Sequence, residues 1–83
     1  MLMQREVFMK RIDLEETIEG KNIKYQFHIS DFMLGIKIIA EINRKETVIG
    51  YKYYKIPTFI KDLMNTFKGA IGFSELYSYL MNI

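Results

Sequence analysis

The chain has no cysteine and no tryptophan, and only one histidine and one proline. Without cysteine there is no disulfide, no thiol nucleophile, no thiol redox chemistry and no thiolate zinc site. That absence fits a reducing compartment. His28 alone cannot make a two-histidine metal site. Without tryptophan, no Trp-based stacking or cation–π site exists. No apolar run approaches the roughly 18 residues that a membrane span needs. The opening Met1-Leu2-Met3-Gln4-Arg5-Glu6 lacks the basic start and unbroken apolar stretch of a secretory signal. The expected location is the cytoplasm, with no membrane partner.

Several chemical signatures are missing as well. There is no phosphate loop, no nucleophile elbow, no calcium loop and no cluster of metal ligands. Gly69-Ala70-Ile71-Gly72 is expected to be a turn, because a dinucleotide fingerprint needs a different glycine spacing after a strand. No catalytic residue, metal ligand or cofactor is therefore assigned from sequence.

What remains describes a folded chain. Hydrophobic residues make up 49% and charged residues 27% of the 83 positions. Such a composition argues against disorder and gives room for one domain, 1–83, with one small core. Domains this small are marginal unless packing, a ligand or a second chain helps them. Isoleucine occurs 13 times and lysine 9 times, against 3 arginines. That balance suits AT-rich coding and hence a low-GC bacterium or a phage of one. Net charge is only +2, but it is uneven. Residues 1–20 carry three basic and five acidic side chains, and residues 21–55 carry seven and three.

Alternation of apolar and polar residues predicts strands. Ile23, Tyr25, Phe27 and Ile29 alternate with Lys24, Gln26 and His28. With Glu19-Gly20-Lys21-Asn22 as a four-residue loop, Ile18 faces Ile23, Glu16 faces Tyr25, Leu14 faces Phe27 and Ile12 faces Ile29. Phe8 extends that face if the strand reaches so far. A helix over residues 2–19 is the competing reading, since Val7, Arg11, Leu14 and Ile18 also lie at helical spacing. A second hairpin follows, with Asn43-Arg44-Lys45-Glu46 as its turn. Its apolar face would hold Ile36, Ile38, Ala40 and Ile42 with Thr47, Ile49, Tyr51 and Tyr53. Lys37, Glu41, Lys52 and Tyr54 would point the other way. Ser30 to Gly35 would connect the hairpins. Pro57 ends the fourth strand, and Thr58 is a candidate N-cap. Ile60, Leu63, Met64, Phe67 and Ile71 then repeat at helical spacing. Ser74 would cap a last helix bearing Phe73, Leu76, Tyr77, Leu80 and Met81. The predicted fold is α+β: a four-stranded antiparallel sheet of two hairpins, followed by two C-terminal helices packed on one face.

Two sets of residues are candidates for binding. Asp13, Glu15 and Glu19 form an acidic stripe, and Tyr54, Tyr77 and Tyr79 add aromatic surface that a protein partner would favour. Lys24, Lys37, Lys52 and Lys55 with Tyr54 form a basic face on which single-stranded nucleic acid would rest. With Tyr51 and Tyr53 turned inward, the protein partner is the stronger expectation. The sequence thus points to a non-enzymatic interaction module. Its forms would include a phage or mobile-element inhibitor of a host defence protein, and self-association into a homo-oligomer.

Overall fold

The structure, a computed structural model, describes residues 10–30 and 33–82. It contains a four-stranded antiparallel sheet in the order β1-β2-β3-β4, with helical segments towards the C-terminus. The strands are β1 (Lys10–Ile18), β2 (Lys21–Ile29), β3 (Met33–Ile42) and β4 (Lys45–Lys55), followed by α1 (Ile56–Phe67) and α2 (Phe73–Met81). Residues 10–18 are therefore strand and not helix. The proposed extension through Phe8 lies outside the described residues.

Both hairpins turn more tightly than the sequence suggests. Glu19 and Gly20 alone join β1 to β2, at φ 52° and 79°. Asn43 and Arg44 alone join β3 to β4, at φ 54° and 66°. Two central residues with positive φ match the twist of the flanking strands, which is why two-residue loops of this kind dominate hairpins. In the first hairpin, the shorter loop slides the pairing by two residues. Ile18 lies opposite Lys21, Glu16 opposite Ile23, Leu14 opposite Tyr25 and Ile12 opposite Phe27. A slide of two keeps every side chain on its expected face.

In the second hairpin the outcome is different. Ile39 lies opposite Val48, yet Ile38 lies opposite Gly50, so Ile49 is an extra residue in β4. Such a bulge reverses the alternation beyond it. Ile36 consequently lies opposite Lys52 and Leu34 opposite Tyr54, while Gly35 faces Tyr53 and Lys37 faces Tyr51. The expectation that Tyr51 and Tyr53 point to the core is overturned: they are 58% and 72% exposed. Tyr54 and Lys52 lie instead on the face that carries the core.

Side chains of the sheet and both helical segments meet in one buried cluster. Ile12, Leu14, Phe27, Ile29, Leu34 and Ile36 come from the strands. Ile56, Phe59, Leu63 and Phe67 come from α1, and Leu76 and Leu80 from α2. Phe67 lies edge-on to Phe27 at 5.2 Å and to Tyr25 at 5.0 Å. Among the described residues no polar or charged side chain is fully buried.

Three smaller expectations also change. Gly35 is part of β3 and not of a connecting loop. Helix α1 begins at Ile56, so Pro57 and Thr58 lie within its first turn. Helix α2 is entered through Gly72, at φ 95°, with no side-chain cap, and Ser74 lies inside it.

Candidate functional site

The register divides the sheet into a face that carries the core and an opposite face. On the opposite face β1 presents Arg11, Asp13, Glu15 and Thr17, and β2 presents Asn22, Lys24, Gln26 and His28. From β3 come Gly35, Lys37, Ile39 and Glu41, and from β4 come Glu46, Val48, Tyr51, Tyr53 and Lys55. Four acidic and four basic side chains balance there. Much of that charge is already engaged. Arg11 donates to both carboxylate oxygens of Asp13, at 3.0 and 3.1 Å. The Lys24 Nζ donates to Glu46 at 2.6 Å. Asn22 Nδ2 donates to Glu15 at 3.2 Å and to Glu41 at 3.1 Å, which ties three strands together.

A shallow cleft of about 250 Å³ opens on this face, lined by His28, Gly35, Ile36, Lys37, Tyr51 and Tyr53. Gly35 creates it. A Cβ at that position would lie 3.3 Å from the Tyr53 ring. The missing side chain lets the ring lie against the backbone, a known way of covering a strand glycine. Tyr51 and Tyr53 stand two residues apart on one strand, about 7 Å along it. His28 is partly buried at the rim. Burial first, then Arg11 and Lys37, push its pKa below the ordinary value, while Asp13 opposes them. The ring is thus held towards its neutral form, which can both donate and accept a hydrogen bond.

The acidic candidates do not form one stripe. Asp13 and Glu15 share the cleft's face, at its β1 margin. Glu19 sits in the first turn at positive φ. The aromatic candidates separate too. Tyr54 is half-buried against Phe59 at 4.9 Å. On α2, Tyr77 packs on Phe73 at 5.7 Å. Tyr79 packs against the core cluster, with Lys10 Nζ 6.0 Å from its ring centroid. Of the basic candidates, Lys24, Lys37 and Lys55 lie on the face of the cleft, whereas Lys52 lies with Tyr54 on the other. The sequence reading missed Tyr51, Tyr53 and Gly35. The signal for them was Gly50 in mid-strand, since an isolated strand glycine marks a bulge.

Tyr25 offers a pH test of the core-bearing face of the sheet. Its hydroxyl donates to Glu16 Oε1 at 2.6 Å. Burial, then that hydrogen bond and the nearby carboxylate charge, push its pKa well above the ordinary value of about 10. The unfolded chain loses this proton first, so the stability contribution is complete below pH ~10 and falls as pH rises past it. Tyr25→Phe removes that part of the alkaline loss. Denaturant midpoints measured from neutral to strongly alkaline pH should converge for the two proteins as pH rises. A constant gap would contradict it.

Among the described residues, no group of three or more His, Cys, Asp or Glu side chains is placed to hold a metal ion. No described helix is long and apolar enough to cross a membrane. Comparisons with protein-family models, with curated proteins and with solved structures found no match to this chain.

Proposed function

We propose that the protein is a non-enzymatic binding module that recognises another protein through the sheet face bearing the Tyr51–Tyr53 cleft. The two helices, in this reading, serve as the cover of the other face and complete one domain. The observation that carries the proposal is the pair of exposed tyrosines on a face whose charges balance. Tyrosine supplies large contact area at small entropic cost, and mixed charge with exposed aromatics is typical of protein interfaces. Val48 on the same strand is exposed as well, at 42%. Asp13 and Glu15 at one margin and Lys37 and Lys55 at the other would orient a partner.

Capture from a low-GC bacterial lysate tests this reading. A partner held by the native protein should be lost with Tyr51→Ser/Tyr53→Ser. Two such anchors at about 2 kcal/mol or more in total correspond to at least about thirtyfold in affinity. Equal retention by the two proteins, or no retained partner, counts against it. Tyr51 and Tyr53 are exposed, but the Tyr53 ring covers Gly35, so an unchanged circular dichroism spectrum of the variant is the control that the sheet is intact.

A second reading follows from the same two rings. With Tyr51 and Tyr53 outward beside Lys37 and Lys55, the face could stack bases of a single strand while lysines meet its phosphates. The balanced charge of the face argues against it, since phosphate neutralisation dominates such binding. Fluorescence anisotropy with mixed-sequence single-stranded DNA and RNA at low salt decides. Binding that weakens steeply with salt supports this reading, and no binding removes it.

A further inference from the structure

We propose that two copies of the chain pair through the outer edge of β4, forming one continuous antiparallel sheet. The two edges of the sheet differ. On β1, Glu15 N–H donates to the Ile71 carbonyl at 3.1 Å, and Ile71 N–H donates to the Glu15 carbonyl at 2.7 Å. That isolated bridge, from the turn before α2, occupies the middle of the β1 edge. Among the described residues nothing pairs with the outer edge of β4. It is eleven residues long, and Val48, Ile49, Tyr51 and Tyr53 along it are exposed. A long exposed edge with such side chains is a template for another strand.

The occupant is argued from the sequence of β4 itself. In a two-fold antiparallel pairing, one register sets Glu46 opposite the partner's Lys55 and Val48 opposite the partner's Tyr53. All four belong to the face of the cleft. On the other face, Thr47 lies opposite the partner's Tyr54. Each match occurs twice by symmetry. Opposite charges and aromatic–β-branched pairs are favourable cross-strand neighbours. The bulges of the two strands meet at the centre, around Ile49 and Gly50. The ladder ends at Lys55, where α1 begins. Glu46 already accepts from Lys24 through Oε2, and a carboxylate has capacity for a second donor.

The same geometry accounts for closure. Pairing β4 with another copy's β1 would be head-to-tail and would propagate without end. The Glu15–Ile71 bridge obstructs that edge, so among the described residues the extension left between copies is the β4 edge, which closes on itself as a dimer. The two-fold axis is perpendicular to the sheet, so both helical layers lie on one side. There an apolar cleft of about 280 Å³, lined in part by Ile36, Ile38, Ile49 and Tyr54, adjoins β4 and would border the seam.

Sedimentation equilibrium of the intact chain at micromolar concentration tests the proposal. The native protein should be a dimer. Lys55→Glu puts two carboxylates opposite each other at both ends of the ladder, and should weaken association roughly tenfold. Glu46→Lys should do the same. An equimolar mixture of these two variants restores both ion pairs in a heterodimer, and should associate as tightly as the native chain. Circular dichroism identical to the native spectrum controls for folding. A monomeric native protein overturns the proposal, and so does a mixture no tighter than either variant alone. Neither result touches the reading of the cleft, because that rests on capture lost with the exposed tyrosines and not on self-association.

Discussion

Gly72→Ala is expected to cost about 3 kcal/mol or more of folding stability. Two independent effects combine at this position. Gly72 has φ 95°, a conformation that L side chains adopt only under strain. A Cβ there would also lie 2.7 Å from the Asp13 carbonyl oxygen, which is backbone and cannot rotate away. Relief requires the turn to move off β1. The neighbouring Ile71–Glu15 bridge would then break, and Leu76 and Leu80 of α2 would lose their places in the core. Gly20→Ala separates the two effects, because Gly20 also has positive φ but nothing lies within 4 Å of its missing Cβ. Its cost should be only the conformational part, about 1 kcal/mol. Urea denaturation of both variants measures the difference. Equal costs would show that the turn is not anchored to β1. For a chain of this length, total stability is on the order of 4–12 kcal/mol, so the Gly72 effect is a large share of it.

Phe27→Ala is expected to be as severe, at about 3–5 kcal/mol. Phe27 of β2 is fully buried. Its ring meets Phe67 at 5.2 Å and Phe59 at 6.1 Å, so one side chain ties the sheet to two turns of α1. Truncation leaves a cavity between rigid layers, and part of the cost comes from the void itself. Phe27→Leu keeps most of the volume and should cost about 1.5 kcal/mol or less. The comparison by denaturation distinguishes a packed core from a loose one. A cost for the alanine variant no larger than for leucine would mean that the helical layer collapses freely onto the sheet. Because Phe67 also contacts Tyr25, the alanine variant should additionally shift the alkaline stability limb.

The two hairpins show how far local pattern carries. In both, the sequence reading assumed four-residue turns and was wrong by the same margin. In the first this did no harm, since the pairing slid by two and Ile12, Leu14, Ile23 and Phe27 stayed on the core face. In the second, one extra residue at Ile49 exchanged the two faces of the strand beyond it. The reading placed Tyr51 and Tyr53 inside and Tyr54 outside, and the structure has the reverse. The conclusion drawn from it, that the basic face lacks aromatic rings apart from Tyr54, fell with it. Gly50 was the available clue. The cleft was illegible for a related reason: Gly35, Tyr53 and His28 come from three strands, and only the completed register brings them together.

The sequence by itself determined that β2 and β3 are strands and that Ile23, Phe27, Ile29 and Ile36 face the core. It left residues 2–19 open between strand and helix, set Leu34 in a connection and counted the exposed Ile18 and Ile42 with the apolar face. Period-two alternation is local, and each strand carries it within nine or ten residues. It also located the chain reversals and the helical segment after Pro57, because turn residues and helical spacing act over short distances. Only the tertiary structure decided which face β4 shows to solvent, how the β1 edge is closed by Ile71, and that two tyrosines flank a cleft over Gly35. Each of these depends on a register between strands, and a register is fixed by the whole sheet and its cover together. Within one strand, a bulge changes nothing but the count, so the residues around it read the same whichever way they point.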